Sequence, residues 1–239
     1  MLQGRRTSVA HCGRAEPTCV RCSVKKGQSV GVRVTVIDYE MSNLRSAGKA
    51  LERLGATVTI ARTPAEMGDY DAVVLPGDGH FGEAMRRLRA AELDRAVIDA
   101  AAEGMPILGI CIGLQVMFEE SDEAPDVAGL GLIPGAVRAL QTSAKVPHIG
   151  WAEVSWVETS PIAPADRDEE SAYYFLHSYV CEPTDPAAVW ANAHHGVDFC
   201  AVAGVGNVCG FQFHPEKSSR DGLALLDRWM AHAGLAVGA

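Results

Sequence analysis

The chain lacks any apolar run approaching 18 residues, so no segment of it is expected to cross a membrane as a helix. Near Met1 it also lacks the continuous apolar core that a secretory signal needs. Basic residues are scarce beyond the first thirty-one. Residues 1–31 hold Arg5, Arg6, Arg14, Arg21, Lys25 and Lys26 against Glu16, a balance of +5, whereas the other 208 residues carry 15 basic and 29 acidic side chains, or -14. A body that acidic repels a phosphate backbone and argues against nucleic acid as a partner. Of the seven cysteines, Cys111, Cys181, Cys200 and Cys209 are scattered and suggest no disulfide framework. A reducing, cytoplasmic compartment is the expectation. No internal repeat and no long linker divides the sequence. What remains, 239 residues with 48% hydrophobic and 21% charged, is a globular balance that excludes collagen-like and wholly disordered chains.

Residues 1–31 show no apolar periodicity and are expected to form a disordered extension to one domain spanning 32–239. His11, Cys12, Cys19 and Cys22 include half of a zinc spacing, Cys19-x-x-Cys22, but no second closely spaced pair completes it.

From Val32 onward strand-like and helix-like segments alternate. Val32–Asp38 is β-branched and alternating, the pattern of a first strand. Asn43 is placed to cap a helix carrying Leu44, Ala47, Leu51 and Leu54, with Gly55 as its stop. Thr57–Ala61 and Ala72–Leu75 read as strands, the latter ended by Pro76-Gly77. Helices are expected around Gly82–Leu88 and over Leu93–Glu103, and Pro106–Ile110 is a wholly apolar strand. Shorter strands are expected at Tyr173–Leu176, Val189–Ala191, Cys200–Ala203 and Val208–Phe213, before a final helix through Leu223, Leu226, Trp229 and Met230. Continuous apolar strands between helices predict an α/β fold, a mostly parallel sheet with helices on both faces.

Chemistry collects at the ends of the apolar strands. Gly109-Ile110-Cys111-Ile112-Gly113 is a G-x-nucleophile-x-G elbow with cysteine in the serine position. The tight strand-to-helix turn leaves no room for side chains at the glycines, lifts the sulfur above the sheet, and favours its thiolate at a helix start. In His214-Pro215-Glu216 the two polar residues lie two apart in an extended segment and so project to one side, the carboxylate orienting the imidazole. Nucleophile, base and orienting acid suit acyl transfer through a covalent intermediate. Leu75-Pro76-Gly77-Asp78-Gly79-His80-Phe81-Gly82 lets backbone approach a ligand and offers N–H groups to an oxyanion; no P-loop Lys-Ser/Thr follows.

With Gly-Ile-Cys-Ile-Gly-Leu-Gln at residues 109–115 and Phe-His-Pro-Glu at 213–216, the chain resembles the class I, triad-type glutamine amidotransferases. Asp38-Tyr39, Asn43-Leu44-Arg45-Ser46, Pro147-His148-Ile149-Gly150-Trp151, Tyr174-Phe175-Leu176-His177-Ser178-Tyr179 and His214-Pro215-Glu216-Lys217-Ser218 occur in the order seen in glutaminase subunits of imidazole glycerol phosphate synthases. The resemblance spans residues 32 to about 235. It implies a flavodoxin-like glutaminase fold, with Cys111 as nucleophile, His214 as acid/base and Glu216 as its partner. The backbone N–H groups of Asp78 and Ile112 would form the oxyanion hole. Gly79, Gln115, His177, Ser178 and Tyr179 would hold glutamine, with no metal or organic cofactor. Asn43, Trp151, Tyr174 and Lys217 would face a (β/α)8-barrel cyclase subunit, which receives ammonia and makes imidazole glycerol phosphate and AICAR in histidine biosynthesis. The chain departs from the family pattern at Glu40 and Ser42, where glycines are usual, at Ala152, where Asn is common, and at Asp78 and His80. The competing enzyme reading is a stand-alone γ-glutamyl hydrolase of the same fold, or the glutaminase subunit of another amidotransferase. A non-catalytic binding subunit is the third.

Overall fold

Five parallel strands form the centre of the molecule: β1 (Arg33–Ile37), β2 (Thr57–Ala61), β3 (Ala72–Gly77), β4 (Ile107–Cys111) and β12 (Val208–Phe211), in the spatial order β2-β1-β3-β4-β12. The computed structural model describes residues 31–41, 44–166 and 171–235. Ser42, Asn43 and the N-terminal His11, Cys12, Cys19 and Cys22 lie outside the described residues.

The strands β1, β3, β4 and β12 are buried on both faces, and their alternate side chains feed two separate cores, whereas β2 is a largely exposed edge. On one face Val34, Val36, Val74 and Leu108 meet α1 (Leu44–Arg53) and α5 (Ser219–His232) through Ala50, Leu51, Leu225, Leu226 and Trp229. On the other, Ile37, Val73, Leu75 and Ile107 meet α2 (Phe81–Ala90) and α3 (Leu93–Ala102) through Phe81, Met85, Leu88 and Val97. Burying each of these larger aliphatic or aromatic side chains stabilises the fold by roughly 1.5–3 kcal/mol. That two-sided burial is why β3 and β4 are continuous apolar runs.

The remaining strands are β5 (Glu120–Ser121), β6 (Gly135–Ala139), β7 (His148–Trp156), β8 (Ala172–His177), β9 (Tyr179–Pro183), β10 (Val189–His194) and β11 (Asp198–Val205). They extend the sheet through antiparallel pairs, except that β5 pairs β6 in parallel. The path continues from β12 through β11, β10 and β7 to β8, with β9 pairing β11 and β6. A four-residue helix α4 (Ile112–Gln115) follows β4 directly.

Pro76 and Gly77 do not end β3 as the sequence suggests; they are its last two residues. Pairing of β1 with β3 stops at Val74, so at Pro76 only the β4 side is laddered. On the unpaired side the missing proline N–H costs nothing. The largest surprise is β7, nine residues long, whose pattern is inverted: His148 is buried while Ile149 and Trp151 face outward, 57% and 54% exposed.

Candidate active site

Cys111 ends β4 and opens α4 with φ 54 and ψ -111, a region L-residues avoid and that costs roughly 1–3 kcal/mol. Its flanking glycines are required by contact. A Cβ at Gly113 would lie 1.7 Å from the Leu75 carbonyl oxygen, and one at Gly109 would lie 2.6 Å from the Leu114 nitrogen. Ile112 follows as the first residue of α4, whose N–H is among the donors a helix start leaves without an intrahelical acceptor.

His214 enters from the end of β12, across the sheet from β3. Its N–H donates to the Tyr174 carbonyl at 2.9 Å and its own carbonyl accepts from the Ser218 hydroxyl at 2.6 Å, which fixes the backbone. Nδ1 faces Glu216 Oε1 at 2.8 Å, so the proton on Nδ1 is held by a carboxylate and Nε2 is turned toward the sulfur. Burial alone would lower the His214 pKa, but hydrogen bonding to Cys111 and to Glu216 outweighs it and raises it from 6.5 to about 10. An imidazolium beside the sulfur favours the thiolate nucleophile. One ligand-type atom each from Asp78, Cys111 and His214 lie within 4.8 Å of one another, the one such group of potential metal ligands found among the described residues.

On the other side of the sulfur lies a cleft of about 280 Å³ lined by Gly79, Cys111, Ile112, Gln115, His177, Ser178 and Tyr179, with Glu123, Pro147 and Leu176 completing it. The residues that the resemblance assigns to glutamine thus share one space with the nucleophile. Gln115 is tied there by its side-chain N–H₂, which donates to the Tyr179 carbonyl and to Gln212 Oε1, each at 3.1 Å. His177 is buried, and that burial lowers its pKa to about 3; its Nδ1 is 3.0 Å from the Tyr179 carbonyl.

Asp78 sits between turn and triad. Its backbone N–H donates to the Met41 carbonyl at 2.7 Å, so in this conformation it does not point at the cleft as an oxyanion donor. The adjacent peptide can rotate only because Gly79, at φ +110, tolerates a backbone most residues avoid. The Asp78 carboxylate lies 3.2 Å from His214 Nε2 and 3.7 Å from Lys217 Nζ. Two other departures from the family pattern have plain local reasons. Glu40, where glycine is usual, has φ 61 and pairs with Arg87 at 2.8 Å. His80 caps α2 by accepting the Gly82 N–H at 3.0 Å.

Of the residues assigned to a partner, Trp151 and Tyr174 are directly paired across β7 and β8, their rings 6.1 Å apart and edge to face. Lys217 directly follows Glu216 in the single turn Pro215–Lys217, and Asn43 is outside the described residues. Sequence reasoning missed Gln212, fully buried, whose amide lies 3.9 Å from Cys111 Sγ. A lone polar residue in the apolar Val208–Phe213 run was its signal. It quoted Tyr39 only as part of Asp38-Tyr39 and missed its place, buried with its hydroxyl where a Cβ on Gly77 would have to be.

The class-I glutamine amidotransferase family model matches residues 35–233. The chain is 42% identical to the imidazole glycerol phosphate synthase subunit HisH of Bacillus subtilis, over 82% of this chain and 94% of that one. It is 43% identical to the HisH subunit of a Synechococcus strain, over 83% and 93%. Among solved structures, PurLQS from Thermotoga maritima superposes with a TM-score of 0.68 at 24% identity over 84% of this chain and 98% of that one, which speaks to the fold alone. A crystal structure of a glutamine amidotransferase gives the same TM-score at 20% identity, over 84% and 98%. Sequence relatives above 40% over nearly their whole length carry the likeness past shared architecture: this chain belongs to the class-I glutamine amidotransferase family, with the HisH subunits.

Proposed function

We propose that this chain is the glutaminase subunit of imidazole glycerol phosphate synthase and supplies ammonia to a separate cyclase subunit in histidine biosynthesis. The observation that carries the chemistry is the single cleft in which Cys111 meets Gly79, Gln115, His177, Ser178 and Tyr179 while His214 and Glu216 back the sulfur from behind.

Each step follows from these positions. The Cys111 thiolate attacks the side-chain amide carbon of glutamine, and the carbonyl electron pair moves onto oxygen. That oxyanion takes the Ile112 N–H and, once the turn has rotated, an N–H from Gly77-Asp78-Gly79. As the intermediate collapses, the C–N bond breaks and His214 Nε2 gives its proton to the departing nitrogen, releasing ammonia and leaving a thioester on Cys111. Neutral His214 then takes a proton from water. The hydroxide attacks the thioester, glutamate leaves, and the thiolate–imidazolium pair is restored. Glu216 keeps the imidazole in the tautomer that serves both proton transfers. No step calls on a metal or an organic cofactor.

The partner reading extends this to a (β/α)8-barrel cyclase docked over the outward faces of Ile149, Trp151 and Leu176. Leu176 lines the cleft, and with Ile149 and Trp151 it presents the exposed apolar side chains that a docking surface needs. The test is Cys111→Ala in the reconstituted synthase. Glutamine-dependent synthesis should vanish while synthesis from added ammonium salt at raised pH persists. Loss of both would contradict the division into two sites.

A further inference from the structure

We infer that Asp78, Cys111 and His214 form a reversible inhibitory site for a zinc-class divalent cation. The inference concerns regulation of the same site and rests on the glutaminase reading only for the word inhibitory; binding itself does not depend on it.

Three different ligand types converge: a carboxylate oxygen, a thiol sulfur and an imidazole nitrogen, all within 4.8 Å of one another. This donor set suits Zn²⁺, which binds Asp oxygen, Cys sulfur and His nitrogen at about 2.0–2.3 Å. Ligand atoms around a tetrahedral zinc then stand roughly 3.3–3.7 Å apart. His214 Nε2 and Asp78 Oδ1 are already 3.2 Å apart. The sulfur has to close by about 1 Å at most, a side-chain rotation.

A second observation points to the same place. His214 is 2% exposed, and its Nε2 is directed at both of the other ligands, hydrogen-bonded to the Cys111 sulfur and 3.2 Å from Asp78 Oδ1. The far side of the imidazole is also prepared, since Nδ1 faces Glu216 at 2.8 Å, the carboxylate–histidine arrangement that orients metal-bound imidazoles. Lys217 Nζ, 3.7 Å from the other Asp78 oxygen, is an opposing charge. It touches the oxygen that the metal would not use.

On binding, the thiolate and the Nε2 lone pair are both donated to the cation. From the thiolate–imidazolium form one proton leaves Nε2 for solvent, and nothing is oxidised or reduced. Three protein ligands leave a fourth position open toward the cleft for water. The nucleophile and the proton carrier are then both occupied, so hydrolysis stops until the metal leaves.

The test uses the full-length chain and Co²⁺ as a coloured substitute for zinc, alone and in competition with zinc. Expected is one equivalent whose absorption includes a thiolate-to-cobalt charge-transfer band. That band should disappear in Cys111→Ser, and affinity at this site should fall by about 10–100-fold in Asp78→Ala. Metal that persists in Cys111→Ser is bound elsewhere on the chain and is subtracted. Should Asp78→Ala bind as tightly as the parent, or Cys111→Ser lose no equivalent, the three-ligand site is wrong. Because the readout is absorption and not turnover, a mistaken glutaminase assignment would leave this result standing. Conversely, absence of the band leaves the glutaminase reading untouched.

Discussion

The backbone N–H of Asp78 donates to the carbonyl oxygen of Met41 at 2.7 Å, and so it is turned away from the nucleophile. An oxyanion hole completed by that peptide needs the bond broken and the turn rotated. The isolated subunit should therefore hydrolyse glutamine slowly and be accelerated by the cyclase subunit with its nucleotide ligand. One missing oxyanion donor corresponds to roughly 10²–10³ in rate. Steady-state glutaminase assays of the subunit, the complex and the liganded complex measure it. Equal rates in all three would favour the stand-alone hydrolase.

Gly113→Ala should abolish activity and destabilise the fold. Its Cβ would fall 1.7 Å from the Leu75 carbonyl oxygen, a backbone atom that cannot step aside without moving β3. Overpacking of this kind costs about 1–3 kcal/mol, and here the displaced element carries the glycine-rich turn. Denaturant unfolding gives the stability change. A variant as stable and active as the parent would remove the steric account of the elbow.

Trp151→Ala should leave the isolated subunit nearly as stable as before, because the ring is 54% exposed. It should weaken the complex by about tenfold or more, as exposed aromatic anchors do at interfaces. Calorimetric titration with the cyclase subunit checks both halves. Unchanged affinity would move the docking face elsewhere.

Burial holds His148 at about 4 and His177 at about 3, both below the ordinary 6.5. Below pH 6.5 the unfolded chain therefore binds more protons at these positions than the folded one. Stability should fall as pH drops from about 6.5 toward 4, above the range in which most carboxylates titrate. In His177→Asn that limb should be shallower. Melting temperatures across the interval decide it, and a flat profile in the parent would refute the assignment.

The parallel half of the molecule was legible because its inner strands β1, β3, β4 and β12 are buried on both faces and its helices carry one apolar stripe each. Thr57–Ala61 falls where the pattern puts it, and Leu93–Glu103 differs by one residue. The antiparallel half was harder. β6, β7 and β9 passed unnoticed, and β7 did so for a physical reason: an outward Ile149 and Trp151 and an inward His148 invert the expected alternation. The triad could be read because each member sits in a local motif. Gln212 belongs to no such motif, Tyr39 was read only as part of Asp38-Tyr39 with no role, and only the folded chain brings them to the sulfur and the turn. The peptide orientation at Asp78 could not be read at all. One sequence is compatible with either direction of that N–H.

The placement of β12 against β4 has a consequence for biosynthesis of the protein itself. The nucleophile is made early in the chain, yet its base arrives only with the strand Val208–Phe211, which pairs Ile107–Ile110 in register. While the ribosome is still working through the antiparallel half, the nascent chain owns a cysteine elbow with no proton carrier. Truncated products share that defect. On the proposed roles, glutaminase competence would wait until that strand has docked, and unfinished chains would release no ammonia.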